Sequence, residues 1–171
     1  MTVATRFSAR RSGWRWLPLA IAVLVLDQLS KAWIEQHFAL YQTQALLAVL
    51  DITRLHNAGA AFSFLAGAGG WQRWFFTAIA LVVSVGIVVW LRRLSARDQG
   101  VLAAGLALIL GGALGNVYDR IEHGFVIDFV YVHWGSRYFP AFNVADSAIT
   151  IGAGLLLLDA FIEWRRQRAA Q

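Results

Sequence analysis

The apolar residues of this chain are gathered into four long runs, and most of the charged residues lie between or beyond them. The runs cover roughly residues 16–33, 74–91, 101–118 and 144–164. A helix needs about 20 mostly apolar residues to cross the hydrocarbon core of a bilayer. The pattern therefore predicts four transmembrane helices.

The third run is the weakest of the four because small and polar residues crowd its end. Gly111, Gly112, Gly115 and Asn116 all lie within its last eight positions. Helices in membranes use small residues where their backbones approach each other closely. We therefore interpret these glycines as a packing surface on a third transmembrane helix.

Two connecting segments, residues 36–70 and 120–142, are too long to be plain links between helices. Within them, residues 46–55 and 125–132 are rich in β-branched and aromatic side chains, which is typical of strands. We expect a small sheet at the outer membrane surface. The predicted fold is an all-α membrane protein with a small β element, in which residues 1–171 form a single integral membrane domain.

The composition supports a membrane protein and excludes several other classes. Of the 171 residues, 58% are apolar and 15% charged, against about 25% charged in an ordinary soluble domain. A soluble domain of this length could not bury so much apolar surface, and a disordered chain would not contain it. The chain has no cysteine, which excludes disulfides, a thiol nucleophile and a thiolate-bound zinc ion.

The formal net charge of +5 is explained by the orientation of the spans. Ten arginines lie on the side of the chain termini, and four lie on the opposite side. Because basic residues accumulate on the cytoplasmic side of membrane proteins, both termini are predicted to be cytoplasmic. No nucleic-acid partner is expected. The ten are Arg6, Arg10, Arg11, Arg15, Arg92, Arg93, Arg97, Arg165, Arg166 and Arg168.

Four carboxylates in the predicted outer half of the membrane are the candidates for chemistry: Asp27, Asp119, Asp128 and Asp146. Ionisable residues in or beside membrane spans are costly, so they are functional candidates. Two carboxylates a few ångströms apart share a proton, which makes one a base and the other an acid at the same pH. Such a pair can activate water and protonate a leaving amine. The spacing does not tell which two acids meet.

The acids on the first and third spans also have structural interpretations. Asp27 and Lys31 are four residues apart on one helix face, where they can form a neutralising ion pair or orient an active site. Asp119 and Arg120 can be anchors at the membrane interface. The guanidinium of Arg120 can instead hold a substrate carbonyl.

The other two acids have structural alternatives as well. Asp128 can face water from a strand that lies on the membrane surface; if it is buried among apolar neighbours, its pKa should be raised. Asp146 follows Asn143 by three residues at the start of the fourth span, which is the spacing of a helix capping box. A capped helix start would also fix the position of the Asp146 carboxylate.

Other kinds of site find little support in the sequence. There is no HExxH or GxSxG motif, and the four histidines lack metal-ligand spacing. No metal and no cofactor is expected. Two other function classes stay open on the residues alone: a small proton- or ion-coupled carrier, and a membrane scaffold without catalysis.

Five blocks, in order over about residues 14–164, resemble the motifs of the lipoprotein signal peptidases (signal peptidase II). One block alone would be a weak signal, but all five together with four spans are highly specific. The blocks are DQLSK at 27–31, NAGAAF at 57–62, GGALGNVYDR at 111–120, VIDF at 126–129 and FNVAD at 142–146.

The resemblance implies an aspartic endopeptidase that cleaves the signal peptide of prolipoproteins just before a diacylglyceryl-modified cysteine. Its catalytic pair would be Asp128 and Asp146. Other residues at family positions would hold the substrate backbone or the pair, or support the site. The first group is Asn57, Asn116, Arg120 and Asn143, and the supporting group is Asp27, Lys31 and Asp119.

The resemblance also implies a location and an architecture. The enzyme would lie in the bacterial inner membrane with its site at the periplasmic face. Four transmembrane helices would carry a small extracytoplasmic β-cradle and a mobile outer helix within residues 36–70. The expected partners are lipid-modified prolipoproteins and membrane lipids, and the protein is expected to be monomeric.

Overall fold

Four long helices dominate the part of the chain that the computed structural model describes, residues 12–59, 67, 69–96 and 98–169. A 3₁₀ turn, Gly13–Trp16, precedes the first helix. All four long helices are apolar enough and long enough to cross a membrane. They are α1 (Leu17–His37), α2 (Trp71–Arg93), α3 (Gly100–Glu122) and α4 (Val144–Ala169).

The third helix, α3, is at the centre of the bundle. In its most apolar stretch 61% of the residues are buried within the protein, against 17–28% in the other three helices. Its buried Ala103, Leu106 and Leu110 share one core with Ala20 of α1 and Leu91 of α2. The other helices surround α3 and turn many large apolar side chains outward, as expected for surfaces that face lipid.

The glycines near the end of α3 are packing positions, as predicted. A Cβ atom on Gly111 would lie 2.5 Å from the carbonyl oxygen of Ala20 in α1. A Cβ atom on Gly112 would overlap the carbonyl oxygen of Ala145 in α4. Only a residue without a side chain allows α3 to approach both neighbours so closely.

A four-stranded antiparallel sheet completes the fold, in the order β1-β2-β3-β4. Its register places Leu55 opposite Asp128 and Asn57 opposite Val126. The stretch 46–55 contains the end of β1, a tight turn and most of β2. The predicted helical membrane fold with a small β element is thus confirmed. The strands are β1 (Thr43–Leu47), β2 (Leu50–Asn57), β3 (Val126–Trp134) and β4 (Arg137–Tyr138).

The sheet is fastened to the C-terminal end of α1. Arg54 of β2 donates to the carbonyl oxygens of Glu35 and Phe38 and pairs with the Glu35 carboxylate at 2.8 Å. Ile127 of β3 packs in a second core with Ile34 and Phe38. This attachment holds β2 and β3 above the helix bundle, where their ends meet the candidate site.

Some predicted features lie outside the described residues. They are Arg6, Arg10, Arg11, Arg97 and residues 60–62 of the NAGAAF block. The segment expected to hold an outer helix includes residues 60–66 and 68, which also lie outside. That helix stays a prediction.

Candidate active site

Asp128 and Asp146 meet at one cavity, although they belong to different elements. Asp128 lies on β3 and Asp146 in the first turn of α4. Both line a cavity of about 680 Å³ between the helices and the sheet, called here the helix cavity. Asp128 is only 3% exposed, so the alternative in which it faces water from a surface strand is wrong.

Asn143 links the two carboxylates. Its side-chain amide donates to Oδ1 of Asp128 at 2.9 Å. Its Oδ1 accepts from the backbone N–H of Asp146 at 2.9 Å, and its own N–H donates to Oδ2 of Asp146 at 3.3 Å. These last two bonds form the predicted capping box. The same cap therefore starts α4 and holds Asp146 beside Asp128.

Two more amides complete the surroundings of the pair. The side chain of Asn57 donates to Oδ2 of Asp128 at 3.0 Å, and that of Asn116 donates to Oδ1 of Asp146 at 2.9 Å. Among the described residues, the hydrogen-bond donors to both carboxylates are neutral amides. Neutral donors orient a carboxylate without supplying a positive charge that would force it to ionise.

Burial raises the pKa of Asp128 from 3.8 to about 7, and the negative charge of Asp146 acts in the same direction. Hydrogen bonds from Asn57 and Asn143 and the positive charge of Lys31 oppose this rise only in part. At neutral pH the Asp128 carboxyl therefore holds its proton for a large part of the time. The arrangement can supply an acid and a base together.

Asp27 and Asp119, the other two acids, are held by a single cation. The Lys31 ammonium lies 2.7 Å from Oδ2 of Asp27 and 2.8 Å from Oδ2 of Asp119, and it donates to Oδ1 of Asn116 at 3.1 Å. The three charged side chains are at most 2% exposed. The predicted pair of Asp27 and Lys31 is present. Asp119 has the structural role that one interpretation gave it, but not at the membrane interface, because its side chain is buried in this ion cluster.

This ion cluster is connected to both site aspartates through the backbone. Oδ1 of Asp27 accepts from the N–H of Ala145 at 2.9 Å, and Oδ2 of Asp119 accepts from the N–H of Ile127 at 3.1 Å. Ala145 and Ile127 directly precede the two site aspartates in the sequence. The cluster thus anchors the start of α4 and the start of β3 to the bundle.

Gln28 is a functional candidate that the sequence reasoning missed. Its side-chain amide donates to Oδ1 of Asp119 at 2.8 Å, to Oδ2 of Asp27 at 3.2 Å and to the carbonyl oxygen of Gly115 at 3.2 Å. The signal that could have identified it is a polar residue beside Asp27 within an otherwise apolar span.

Arg120 reaches across the helix cavity to the segment that follows β2. Its guanidinium donates to the carbonyl oxygen of Gly59 at 2.9 Å and to that of Asn116 at 3.3 Å, and it lies over the ring of Phe76 at 5.5 Å. The buried Nε atom has no hydrogen-bond partner among the described residues. Arg120 therefore holds a backbone carbonyl next to the two aspartates.

The remaining walls of the helix cavity are largely apolar. Phe76, Ile79 and Val83 of α2 face Ile109 of α3 and Ile149 of α4 across it. These residues belong to candidate membrane spans, so the cavity extends from the polar pair along the apolar faces of the helices. An apolar helix or acyl chain fits such walls.

Metal chemistry has no visible site in this region. Within the described ranges, no group of three or more histidine, aspartate or glutamate side chains is placed to hold a metal ion. His133 instead lies 3.3 Å from the Asp51 carboxylate on the sheet, and His56 stacks on Phe125.

Known proteins are similar to this chain in sequence and in fold. Residues 19–162 match the family model for signal peptidase (SPase) II. The lipoprotein signal peptidase of Pseudomonas fluorescens is 58% identical over 148 residues, which are 85% of this chain and 86% of that protein. That of Shewanella piezotolerans is 50% identical over 155 residues, 91% of each chain. A solved bacterial membrane enzyme is 29% identical with a TM-score of 0.75, covering 87% of this chain and 88% of its own.

Proposed function

This chain belongs to the signal peptidase II family, and from that premise we propose that it removes signal peptides from lipid-modified prolipoproteins with Asp128 and Asp146 as its catalytic pair. The observation that carries the assignment is the junction at Asn143. There, two carboxylates with amide donors line one cavity, and one of them has a pKa raised to about 7. Asp27 and Asp119 pair with Lys31 instead and are not among the residues that line this cavity.

The substrate enters the helix cavity from the membrane. Its apolar signal helix and the acyl chains of the diacylglyceryl group both require apolar surroundings, which the walls of α2, α3 and α4 supply. The scissile bond, just before the modified cysteine, then lies beside the aspartate pair at the outer end of the cavity.

The chemistry uses one water molecule and one proton held by the pair. Asp128 begins protonated because its pKa is raised, and Asp146 acts as the base. Asp146 takes a proton from water as the water oxygen forms a bond to the scissile carbonyl carbon. Asp128 then gives its proton to the departing amine as the C–N bond breaks. Transfer of a proton from Asp146 to Asp128 restores the starting state.

The amide and guanidinium groups position the reactants. Asn57, Asn116 and Asn143 hold the carboxylates in the orientations described above. Arg120 already binds a backbone carbonyl beside the pair. With substrate bound, the same guanidinium holds a carbonyl of the substrate chain, since its fork of donors stays charged at every relevant pH.

The proposed location is the bacterial inner membrane, with both termini cytoplasmic and the site on the periplasmic face. The four apolar helices support a multi-pass membrane protein. Arg15, Arg92 and Arg165 lie at the ends of the bundle away from the sheet, which supports this orientation. We also propose a monomeric enzyme, because four spans of a single chain bring Asp128 and Asp146 to one cavity.

Labelling of single introduced cysteines tests the orientation. The chain has no cysteine of its own, so the unmodified protein gives no labelling signal. Gln44 on β1 and Gln167 near the end of α4 are both exposed. In intact spheroplasts, a membrane-impermeant maleimide should label Gln44→Cys, and it should label Gln167→Cys only after lysis. The reverse pattern would overturn the proposed orientation.

Cleavage of a purified diacylglyceryl-prolipoprotein tests the function. Asp128→Asn and Asp146→Asn should each lose about 10²–10⁴-fold in rate, the usual contribution of acid–base groups. Both should still bind the substrate. The matched control is Asp159→Asn, which changes an aspartate of the same helix α4 at its opposite end and should keep full activity.

Each variant is also compared by thermal unfolding in detergent, so that loss of folding is separated from loss of chemistry. Near wild-type cleavage by folded Asp128→Asn would overturn the assignment of the pair. A wild-type protein that never cleaves the substrate would overturn the peptidase function itself.

A further inference from the structure

A second cavity, of about 400 Å³, opens from Asp128 toward the sheet. It is called here the sheet cavity. It shares Asn57, Asp128 and residues 139–141 with the helix cavity, so the two cavities meet at Asp128 of the proposed catalytic pair. The side chains that belong to the sheet cavity alone include Tyr41, His56, Tyr131 and Tyr138.

The walls of the two cavities differ in chemistry. The helix cavity is lined mainly by aliphatic and phenylalanine side chains of the spans, whereas the sheet cavity presents tyrosine hydroxyls and an imidazole. Burial and the neighbouring Arg54 guanidinium lower the pKa of His56, so its ring is neutral at pH 7. Tyrosines bind peptide chains well because they combine a rigid apolar face with a hydrogen-bonding tip.

The backbone at Tyr41 is held in a costly conformation at this cavity. Its φ angle is 66°, a left-handed value that is uncommon for residues other than glycine. A hydrogen bond from the Tyr41 N–H to the Arg54 carbonyl oxygen, 2.8 Å long, holds the turn in place. Such strain tends to accumulate at binding sites, where it positions a side chain for a ligand.

A peptidase must hold chain on both sides of the bond that it cuts. On the proposed function, the signal helix and the acyl chains occupy the apolar helix cavity. The chain that follows the lipid-modified cysteine must leave the membrane toward water. The sheet cavity starts at the same aspartate and lies outside the spans, with the exposed Tyr41 and Tyr138 at its wall.

We propose that the sheet cavity is the binding site for the segment of the prolipoprotein that directly follows the lipid-modified cysteine. Its volume falls within the range of about 300–1,000 Å³ that is typical of small-ligand sites, which suits a few extended residues. Tyr41, Tyr131 and Tyr138 contact this segment through ring faces and hydroxyls. This inference rests on the proposed function, because it assumes cleavage at the aspartate pair.

Two synthetic lipopeptides of different length test the proposal. Both carry the same signal segment and diacylglyceryl-cysteine; the long one continues for four residues, and the short one ends at the cysteine amide. Tyr138→Ala and Tyr41→Ala should lower kcat/KM for the long substrate about tenfold, mainly through KM. They should change kcat/KM for the short substrate less than twofold.

The matched control is Trp134→Ala on the same sheet. Trp134 is 81% exposed and lies outside the residues that line the cavity, so its loss should affect neither substrate. Thermal unfolding of each variant checks that the sheet is intact.

Equal losses on the two substrates, or no loss on either, would overturn the sheet cavity as a substrate site. The proposed function has a separate readout in the same experiment. If the wild-type protein cleaves neither lipopeptide, the function fails and this inference fails with it. If the wild type cleaves both, the comparison of variants judges the sheet cavity alone.

Discussion

The carboxylate of Asp27 in α1 accepts a 2.9 Å hydrogen bond from the backbone N–H of Ala145 in α4, 118 residues further along the chain. Asp119 makes the equivalent bond to the N–H of Ile127 at 3.1 Å. Each of these amides belongs to the residue before one of the two proposed catalytic aspartates. One buried cluster around Lys31 therefore sets the positions of both carboxylates.

Removal of the Lys31 cation should destabilise the protein strongly. In Lys31→Met, two carboxylates that are at most 1% exposed lose their positive partner. Breaking a buried pair in this way typically costs about 3–5 kcal/mol, so we expect a large drop in the unfolding temperature in detergent. The control is Arg166→Met at the exposed pair with Glu163, which should change little. Equal effects of the two substitutions would contradict the role of the cluster.

The rate of cleavage should depend on pH through Asp128. Its pKa is raised to about 7, and in the proposed mechanism it must begin protonated. The value of kcat/KM should therefore fall about tenfold per pH unit well above pH 7. A pH series from 5 to 9 on one lipopeptide measures this limb. His56→Gln should leave its midpoint unchanged, since the pKa of His56 is lowered rather than raised.

Relative to the wild type, Asp128→Asn should gain stability at alkaline pH, although it loses activity. The pKa of this carboxyl is about 7 in the folded protein against 3.8 as the ordinary value. Because the folded protein holds this proton more tightly than the unfolded chain, protonation stabilises the fold. This stabilisation is fully present below pH 3.8 and is lost as the pH rises to about 7. Ionisation of the buried group then costs about 4 kcal/mol.

Asparagine does not ionise, so the difference in unfolding temperature between Asp128→Asn and wild type should be larger at pH 8 than at pH 5. A difference for Asp128→Asn that is the same at both pH values would contradict the raised pKa.

Gly112→Ala should separate α3 from α4. The new methyl group would overlap the carbonyl oxygen of Ala145, the residue whose N–H is held by Asp27. We expect a loss of about 1–3 kcal/mol in unfolding free energy and reduced cleavage, because the start of α4 must shift. Gly154→Ala on α4 has open space around it and serves as the control. Unfolding and cleavage by Gly112→Ala that match those of Gly154→Ala would contradict this account.

Local patterns in the sequence were sufficient to predict the helices, one helix cap and the close packing of α3. The four apolar runs predicted the helices, because burial in lipid requires each span to be apolar along its own length. The spacing of Asn143 and Asp146 predicted the capping box, since both partners lie within one turn of helix. The glycines of α3 indicated close packing for the same local reason, although their partner helices were unknown.

Only the tertiary structure decided which partners each of the four acids has. The residues alone did not show which two of the four acids meet, and only a family resemblance pointed to Asp128 and Asp146. In the folded chain Lys31 lies between Asp27 and Asp119, while Asp128 and Asp146 receive amide donors. These partners come from distant parts of the chain, so helix packing determines which carboxylates pair with a cation and which receive amide donors.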